Sequence, residues 1–186
     1  MFSIIFFKKR VTMNYVQKFY LKKLGEYLRK TIEEKRSSNK KNDSNDIKIS
    51  KSTISKSTIS RIINAKRSIK VQYLPFFFNI LEIDTIVELY FNESFCFDLI
   101  EDLFDLIVSE KNSNFARRFE KLLRRKYANY KNLTTQSLAR IYYYDNKIVI
   151  YDDLMDFAYT FLEKDKSSYE VAKAFEQWLD RYLIDF

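Results

Sequence analysis

The scarcity of glycine and proline constrains the fold of this chain more than any other feature. In 186 residues there is one glycine, Gly25, and one proline, Pro75. Glycine and proline are common in turns, bulges and hairpins, so their scarcity disfavours a β-rich or loop-rich fold. The composition predicts an all-α fold, and a hydrophobic content of 46% is enough to bury a core.

Several classes of active site are excluded by composition. One glycine cannot build a phosphate-binding loop or a dinucleotide fingerprint. The absence of histidine and the single cysteine, Cys96, rule out a disulfide, a zinc cluster and a Cys–His nucleophile pair. Cys96 lies between two phenylalanines, which is typical of a core residue in a reduced, cytoplasmic protein. Carboxylates alone could carry out acid–base chemistry, but no pair stands out, so we expect no enzyme activity, no cofactor and no metal.

Positive charge is concentrated in the first half of the chain. Residues 1–90 contain 19 Lys and Arg against 8 Asp and Glu, whereas residues 91–186 contain 14 against 17. The two segments therefore carry charges of +11 and −3. A lysine-rich solvated surface does not explain this separation, so the pattern predicts a polyanion-binding module joined to a second unit.

Residues 53–67 read Thr-Ile-Ser-Lys-Ser-Thr-Ile-Ser-Arg-Ile-Ile-Asn-Ala-Lys-Arg. Ile59, Ile62 and Ile63 fall at i, i+3 and i+4, which predicts a short helix with one buried face. A polar helix that is simply solvated is the alternative, but a helix with one buried and one polar, cationic face suits a DNA major groove. The residues expected on the polar face are Lys56, Ser57, Thr58, Ser60 and Arg61.

This stretch resembles the recognition helix of the lambda-repressor-like, Cro/C1-type helix-turn-helix family. The family pattern, small-apolar-Ser-x-x-Thr-apolar-Ser-Arg-apolar-x-Asn-Gly-Lys-Arg, is followed nearly throughout. Ala65 and Thr53 stand where glycine is usual, which implies strain wherever the backbone there is left-handed. The resemblance covers residues 14–91 and implies a five-helix DNA-binding domain.

The resemblance also implies which residues contact DNA. Lys56 and Ser57 occupy positions that reach base edges, Thr58 offers a methyl group to thymine, and Arg61 reaches a phosphate or a base. The loop after the helix would hold the phosphate backbone, although Asn64 could instead only cap the helix. The implied DNA-binding residues are Asn45, Ser55, Lys56, Ser57, Thr58, Ser60, Arg61, Asn64, Lys66 and Arg67.

The helix that should precede the recognition helix matches the family least well. It is expected from Ser44, a good N-cap, to Ser52, with Asn45 bracing the base contacts. Its inward positions fall on Lys48 and Ile49, or on Ile47 and Ile49 if the register differs by one. Residues 50–54 and 55–59 are both Ser-Lys-Ser-Thr-Ile, and we assign the second copy to the recognition helix.

Apolar periodicity predicts the other helices. We expect a helix over residues 15–36, a packing helix that uses Val71 to Ile83 with Pro75 in its first turn, and a closing helix ending at Phe91. Beyond it, helices are predicted at 97–110, 114–129, 134–144, 150–164 and 168–184, the last capped by Ser168. Residues 140–151 fit a β-hairpin turning at Asp145-Asn146 as an alternative.

The sequence thus predicts an N-terminal five-helix lambda-repressor-like domain at 14–91 and a C-terminal α-helical bundle for dimerisation or an effector at 92–186. Residues 1–13 are expected to be a disordered extension or the product of a start assigned too early, with Met13 as the true start. A membrane-touching tail is the alternative. A second basic cluster occurs in the C-terminal half: Arg117, Arg118, Arg124, Arg125 and Lys126.

The expected function is a cytoplasmic transcription regulator, most simply a repressor, that binds double-stranded operator DNA as a homodimer. The alternative is a protein-interaction inhibitor of the antirepressor or anti-CRISPR type, in which the C-terminal half binds a partner protein. A third hypothesis is a peptide receptor built of helical hairpins, but the sequence lacks the internal repeats that such receptors contain. No membrane partner is expected, because the N-terminal apolar run is too short to span a bilayer.

Overall fold

The computed structural model describes residues 13–39, 54–110, 113–162 and 165–184. The described ranges are helical and contain no β-strand, which confirms the predicted all-α class. A 3-10 turn at Val71–Tyr73 precedes the third α-helix. The α-helices are α1 (Tyr15–Asn39), α2 (Lys56–Ile63), α3 (Leu74–Leu81), α4 (Ile86–Phe91), α5 (Glu93–Ser109), α6 (Asn114–Lys126), α7 (Thr135–Phe161) and α8 (Ser168–Tyr182).

Helix α1 is the element against which both halves of the chain pack. Its buried residues recur every four positions, and each step of four rotates the stripe by about 40° around the helix. The stripe therefore turns gradually, so α1 contacts α2, α3, α5 and α8 on successive sides. The residues of this stripe are Val16, Tyr20, Leu24, Leu28 and Ile32.

The only glycine lies where α1 and α2 come closest. A Cβ atom placed on Gly25 would lie 2.0 Å from the carbonyl oxygen of Ile63 and 2.9 Å from its carbonyl carbon. Side chains do not separate the two helices there, because the α2 backbone occupies the space of a side chain on α1. Gly25 therefore sets how closely the end of α2 approaches α1.

The C-terminal helix is joined to the loop that follows α2. The buried Ser168 accepts a hydrogen bond from the Ile69 backbone N–H at 2.9 Å through its Oγ, and its own N–H donates to the Ile69 carbonyl at 3.0 Å. Tyr90 donates to the Lys166 carbonyl at 3.2 Å. The buried side chains of residues 14–91 and 92–186 form one continuous cluster. Division of the chain into two domains stays a prediction.

The sequence predicted the wrong residue as the cap of α8. The N-cap is Ser167, whose Oγ accepts from the Glu170 N–H, while the Glu170 carboxylate accepts from the Ser167 N–H at 2.9 Å. These hydrogen bonds, led by the one from the Ser167 side chain, lower the pKa of Glu170. Ser168 is the first helical residue and is buried instead.

The two helices predicted at 134–144 and 150–164, and the alternative hairpin, are replaced by one 27-residue helix, α7. Asp145 and Asn146 have the composition of a turn, but α7 and the end of α6 provide hydrogen-bond partners for both side chains. Asn146 Nδ2 donates to the Tyr142 carbonyl at 2.7 Å, and Asp145 accepts from the Tyr127 hydroxyl at 2.7 Å. The pair therefore has no need to leave the helix.

Other predicted elements have mixed outcomes. The first helix is confirmed, and Pro75 lies in the first turn of α3 as expected. Val71 is 44% exposed, so its predicted packing role is wrong. The helix expected at 44–52, Thr53 and residues 1–12 lie outside the described residues. None of the described helices combines the length and the apolar composition needed to cross a membrane.

We expect Gly25→Ala to destabilise the protein by about 1–3 kcal/mol, because the new methyl group meets backbone that cannot rotate away. A loss of stability would be the opposite of the usual effect, since alanine in place of glycine ordinarily stabilises a helix by about 1 kcal/mol. Urea unfolding followed by circular dichroism measures the change. Lys18→Ala, an exposed change in the same helix, should stay within about 0.5 kcal/mol. A more stable Gly25→Ala variant would contradict the close packing of α1 and α2.

Candidate nucleic-acid interface

Helix α2 is anchored by apolar residues on one side. Ile54, Ile59 and Ile62 are buried, and the helix begins at an N-cap, Ser55, whose Oγ accepts from the Thr58 N–H at 3.2 Å. The apolar spacing in this segment correctly predicted a helix with one buried face. Because the cap and the buried isoleucines fix both the start and the rotation of α2, they determine which side chains face solvent.

The other side of α2 is open to solvent. We call Ser55, Lys56, Ser57, Ser60, Arg61 and Asn64 the α2 surface, and all six residues are exposed. Neither Lys56 nor Arg61 forms an ion pair with a carboxylate in the described part of the chain. The predicted exposure of Lys56, Ser57, Ser60 and Arg61 is therefore confirmed, and their contact with DNA stays a prediction.

Thr58 does not belong to this surface, which corrects the sequence-based assignment. It is 8% exposed, and its Oγ1 accepts hydrogen bonds from Arg67 at 3.0 Å and from the Ser55 hydroxyl at 3.1 Å. Thr58 lies four residues from both Ile54 and Ile62, so it falls on the buried stripe of α2. That spacing was visible in the sequence and could have excluded Thr58 from the base-contacting set.

The loop after α2 is held by its own side chains. Asn64 is the C-cap: its Nδ2 donates to the Ser60 carbonyl at 2.7 Å, and its Oδ1 accepts from Arg29 of α1 at 3.0 Å. The capping role considered for Asn64 is confirmed. Arg67 is half-buried, bonded to Thr58, and lies 5.8 Å from the centroid of the Tyr73 ring. Lys66 is exposed.

Sequence reasoning missed Arg29, an exposed cation on α1 beside Asn64. Its position 35 residues before Asn64 carries no local signal, because only tertiary packing brings the two side chains together. Asn45, which was expected to brace the base contacts, lies outside the described residues. The candidate interface therefore consists of the α2 surface, Lys66 and Arg29.

The segment of chain that contains α2 carries charge of one sign. Residues 47–81 contain no Asp or Glu. The first carboxylate after this stretch, Glu82, is paired with Lys35. The amino end of α2 also carries a partial positive charge from its unpaired N–H groups, with no acidic residue in its first turn. Within this segment, an anion approaching α2 meets cations and no carboxylate.

Two other features of the described residues differ from α2. A groove of about 530 Å³ between α1 and α5 is lined by both signs of charge and is crossed by the Lys23–Asp102 ion pair. Burial raises the pKa of the Cys96 thiol, which keeps it protonated and unreactive. In the part of the chain that the structure describes, no group of three or more His, Cys, Asp or Glu is placed to hold a metal ion.

Comparison with protein-family models, with curated proteins and with solved structures gives no match for this chain. The resemblance to the Cro/C1-type family therefore stays a prediction that depends on residues 53–67 and their surroundings.

Ala65 stores backbone strain in this loop. Its φ is +55°, and among the described residues only Glu82 shares a positive value. An L-residue in the left-handed region costs about 1–2 kcal/mol. Glycine avoids this cost, but its greater conformational entropy in the unfolded chain offsets about 0.4–1 kcal/mol of the gain. We expect Ala65→Gly to raise the free energy of unfolding by about 0.5–1 kcal/mol. Urea unfolding measures the change.

Ala128→Gly is the matched control, because Ala128 is an exposed turn residue whose φ is not positive. The same exchange there should lower the free energy of unfolding by about 0.5–1 kcal/mol. Equal effects of the two substitutions would show that the strain at Ala65 is negligible.

Proposed function

We propose that this protein binds double-stranded DNA through the α2 surface and regulates transcription, most simply as a repressor. The observation that carries the proposal is a helix fixed on its apolar side and exposed on a side bearing Lys56, Ser57, Ser60 and Arg61, within residues 47–81 that lack any carboxylate. An exposed helix of this kind fits the width of a B-DNA major groove.

Each exposed residue has a role that its chemistry supports. Lys56 can donate to guanine O6 and N7, and Ser57 and Ser60 can donate to or accept from several base edges. Arg61 can reach a base or a phosphate. Lys66 and Arg29 lie at the carboxyl end of α2, where phosphate contacts would orient the helix without reading sequence. Thr58 and Arg67 support the interface from inside.

A dimer is part of the proposal, because one short recognition helix makes few base contacts. In a two-fold dimer, two copies of α2 would enter successive major grooves about 34 Å apart. Sedimentation of the full chain with and without its operator tests the stoichiometry.

Selection of bound duplexes from a random DNA library, followed by footprinting of the enriched sequence, tests the proposal directly. We expect an enriched motif with two-fold symmetry. If no sequence is enriched and the affinity depends on salt alone, the protein binds polyanions non-specifically. That result would contradict a sequence-specific regulator.

We expect Lys56→Ala combined with Ser57→Ala to lower the preference for the selected motif over random DNA by at least about ten-fold, since one good base contact contributes about 1–3 kcal/mol. Both side chains project into solvent, so the thermal melting curve should not change. Fluorescence anisotropy with both duplexes measures the preference. Lys173→Ala, an exposed change on α8, is the control. If the double variant keeps its preference for the selected motif, the α2 surface is not the site of sequence recognition.

A second expectation concerns salt. Each phosphate contact that is lost should reduce the slope of log K against log salt by about 0.9, because fewer counterions are released. Lys66→Ala should show this reduction with unchanged sequence preference and stability. Arg67→Ala should also destabilise the loop, since Arg67 holds Thr58. Titrations at several salt concentrations measure the slope, and an affinity that does not depend on salt would point away from nucleic acid.

A further inference from the structure

Exposed apolar side chains are concentrated on α7. Of the large apolar residues that are exposed in the described ranges, Tyr144, Ile148, Val149 and Tyr159 all lie on this helix, with exposed fractions of 59%, 53%, 65% and 62%. The sequence positions of Tyr144, Ile148, Met155 and Tyr159 differ by four, seven and four, so these residues share one side of the helix. Tyr144, Ile148, Met155 and Tyr159, together with half-buried Ile141, form the α7 stripe.

Helix α5 supplies a row of carboxylates along one edge of the α7 stripe. The Tyr144 hydroxyl donates to Glu101 Oε1 at 2.9 Å, and this hydrogen bond raises the pKa of Tyr144. Asp105 lies one turn further along α5 and pairs with Arg140 at 3.4 Å. Asp98 lies one turn before Glu101. Burial raises the pKa of the neighbouring Tyr143, and the negative charge of Asp98 adds to this rise. This row consists of Asp98, Glu101 and Asp105.

A second row of carboxylates runs along the other edge, on α7 itself. Asp145, Asp152 and Asp156 are exposed and differ in position by seven and four residues. Within the described residues, Asp152 and Asp156 have no ion-pair partner. Three cations lie near the stripe. Arg140 is paired with Asp105, and Lys147 lies 5.8 Å from the centroid of the Phe97 ring. Lys126 donates to Asn146 Oδ1 at 2.8 Å and lies 4.8 Å from the centroid of the Tyr142 ring. An excess of negative charge therefore borders the α7 stripe on both sides.

We propose that the α7 stripe and its two carboxylate rows bind a basic amphipathic helix of a partner protein. Apolar residues at i, i+3, i+4 and i+7 of that helix would cover the α7 stripe. Lysine or arginine on its flanks would meet the two rows, which complement them in sign.

The charge pattern separates this partner from other occupants. DNA is repelled by both carboxylate rows. A second copy of α7 would bring further carboxylates against those on the first, and like charges facing each other across an interface oppose association. A basic helix removes the repulsion and covers the apolar side chains at the same time.

The surface goes beyond the proposed DNA binding and uses different elements. It lies on α5 and α7, whereas the proposed DNA contacts lie on α1, α2 and the loop after α2. Each surface can therefore be disabled alone. The C-terminal half was also the part considered, from the sequence, for binding a partner protein.

A model peptide tests the surface without knowledge of the natural partner. The probe is a fluorescein-labelled helix of roughly five turns, with leucine on one face and lysine elsewhere. A scrambled peptide of the same composition has the same charge but no apolar face. By anisotropy, the full chain should bind the amphipathic peptide at least about ten-fold more tightly than the scrambled one, because burial of the apolar face adds to the charge attraction. Equal binding of the two peptides would overturn the proposal.

Ile148→Asp should weaken binding of the amphipathic peptide by at least about ten-fold, because it removes a central apolar contact and adds a like charge. Ile184→Asp is the matched control: Ile184 is 57% exposed but follows α8, and its change should alter binding by less than about two-fold. Tyr159→Asp provides a second variant of the α7 stripe should Ile148→Asp melt at a lower temperature. If Ile184→Asp weakens peptide binding as much as Ile148→Asp does, the α7 stripe is not the binding site.

Sedimentation equilibrium of the same variants tests the competing occupant. We expect Ile148→Asp to leave the oligomeric state of the full chain unchanged. Conversion of a dimer to a monomer by Ile148→Asp would assign the surface to a second copy and overturn the proposal. Lys56→Ala with Ser57→Ala should bind the peptide normally, so failure of the DNA proposal and failure of this one are distinguishable.

Discussion

The close approach of α1 and α2 at Gly25 is the contact on which the proposed DNA interface depends. The carbonyl of Ile63 occupies the place where any other residue on α1 would carry its Cβ atom. Because α2 has only eight residues, it cannot hold its position by its own helical hydrogen bonds. Burial of Ile59 and Ile62 against the core, together with this backbone contact, fixes the helix. The single glycine of the chain is thus used for packing between helices.

Charge is divided between surfaces that suit different partners. The α2 region is cationic, with short polar side chains that can approach base edges closely. The α7 stripe carries large apolar side chains and is bordered by carboxylates. The charges of +11 and −3 on the two segments therefore correspond to surfaces with opposite preferences. If both proposals hold, the two ligands would bind to separate surfaces of opposite charge.

Much of the fold could be predicted from the sequence because helices have local signals. The spacing of Ile59 and Ile62, the apolar stripe of α1 and the place of Pro75 in α3 were all correct. The failures occurred where tertiary contacts override local composition. Asp145 and Asn146 resemble a turn, yet α6 and the preceding turn of α7 satisfy their side chains. Thr58 has the chemistry of a base-contacting residue, but Arg67 bonds it from nine residues away. Arg29 could not be found, because its partner Asn64 is distant in sequence.

The loop after α2 shows why the proposed interface can be selective. Three contacts hold it: Arg29 to Asn64, Arg67 to Thr58, and Ser168 to the backbone of Ile69. They come from α1, from the loop itself and from α8, so the loop is restrained from three directions. A surface that is already ordered pays little conformational entropy on binding. In the proposed complex, discrimination between DNA sequences would then depend on whether Lys56, Ser57, Ser60 and Arg61 find matching groups, because a rigid helix cannot move to accommodate a mismatch.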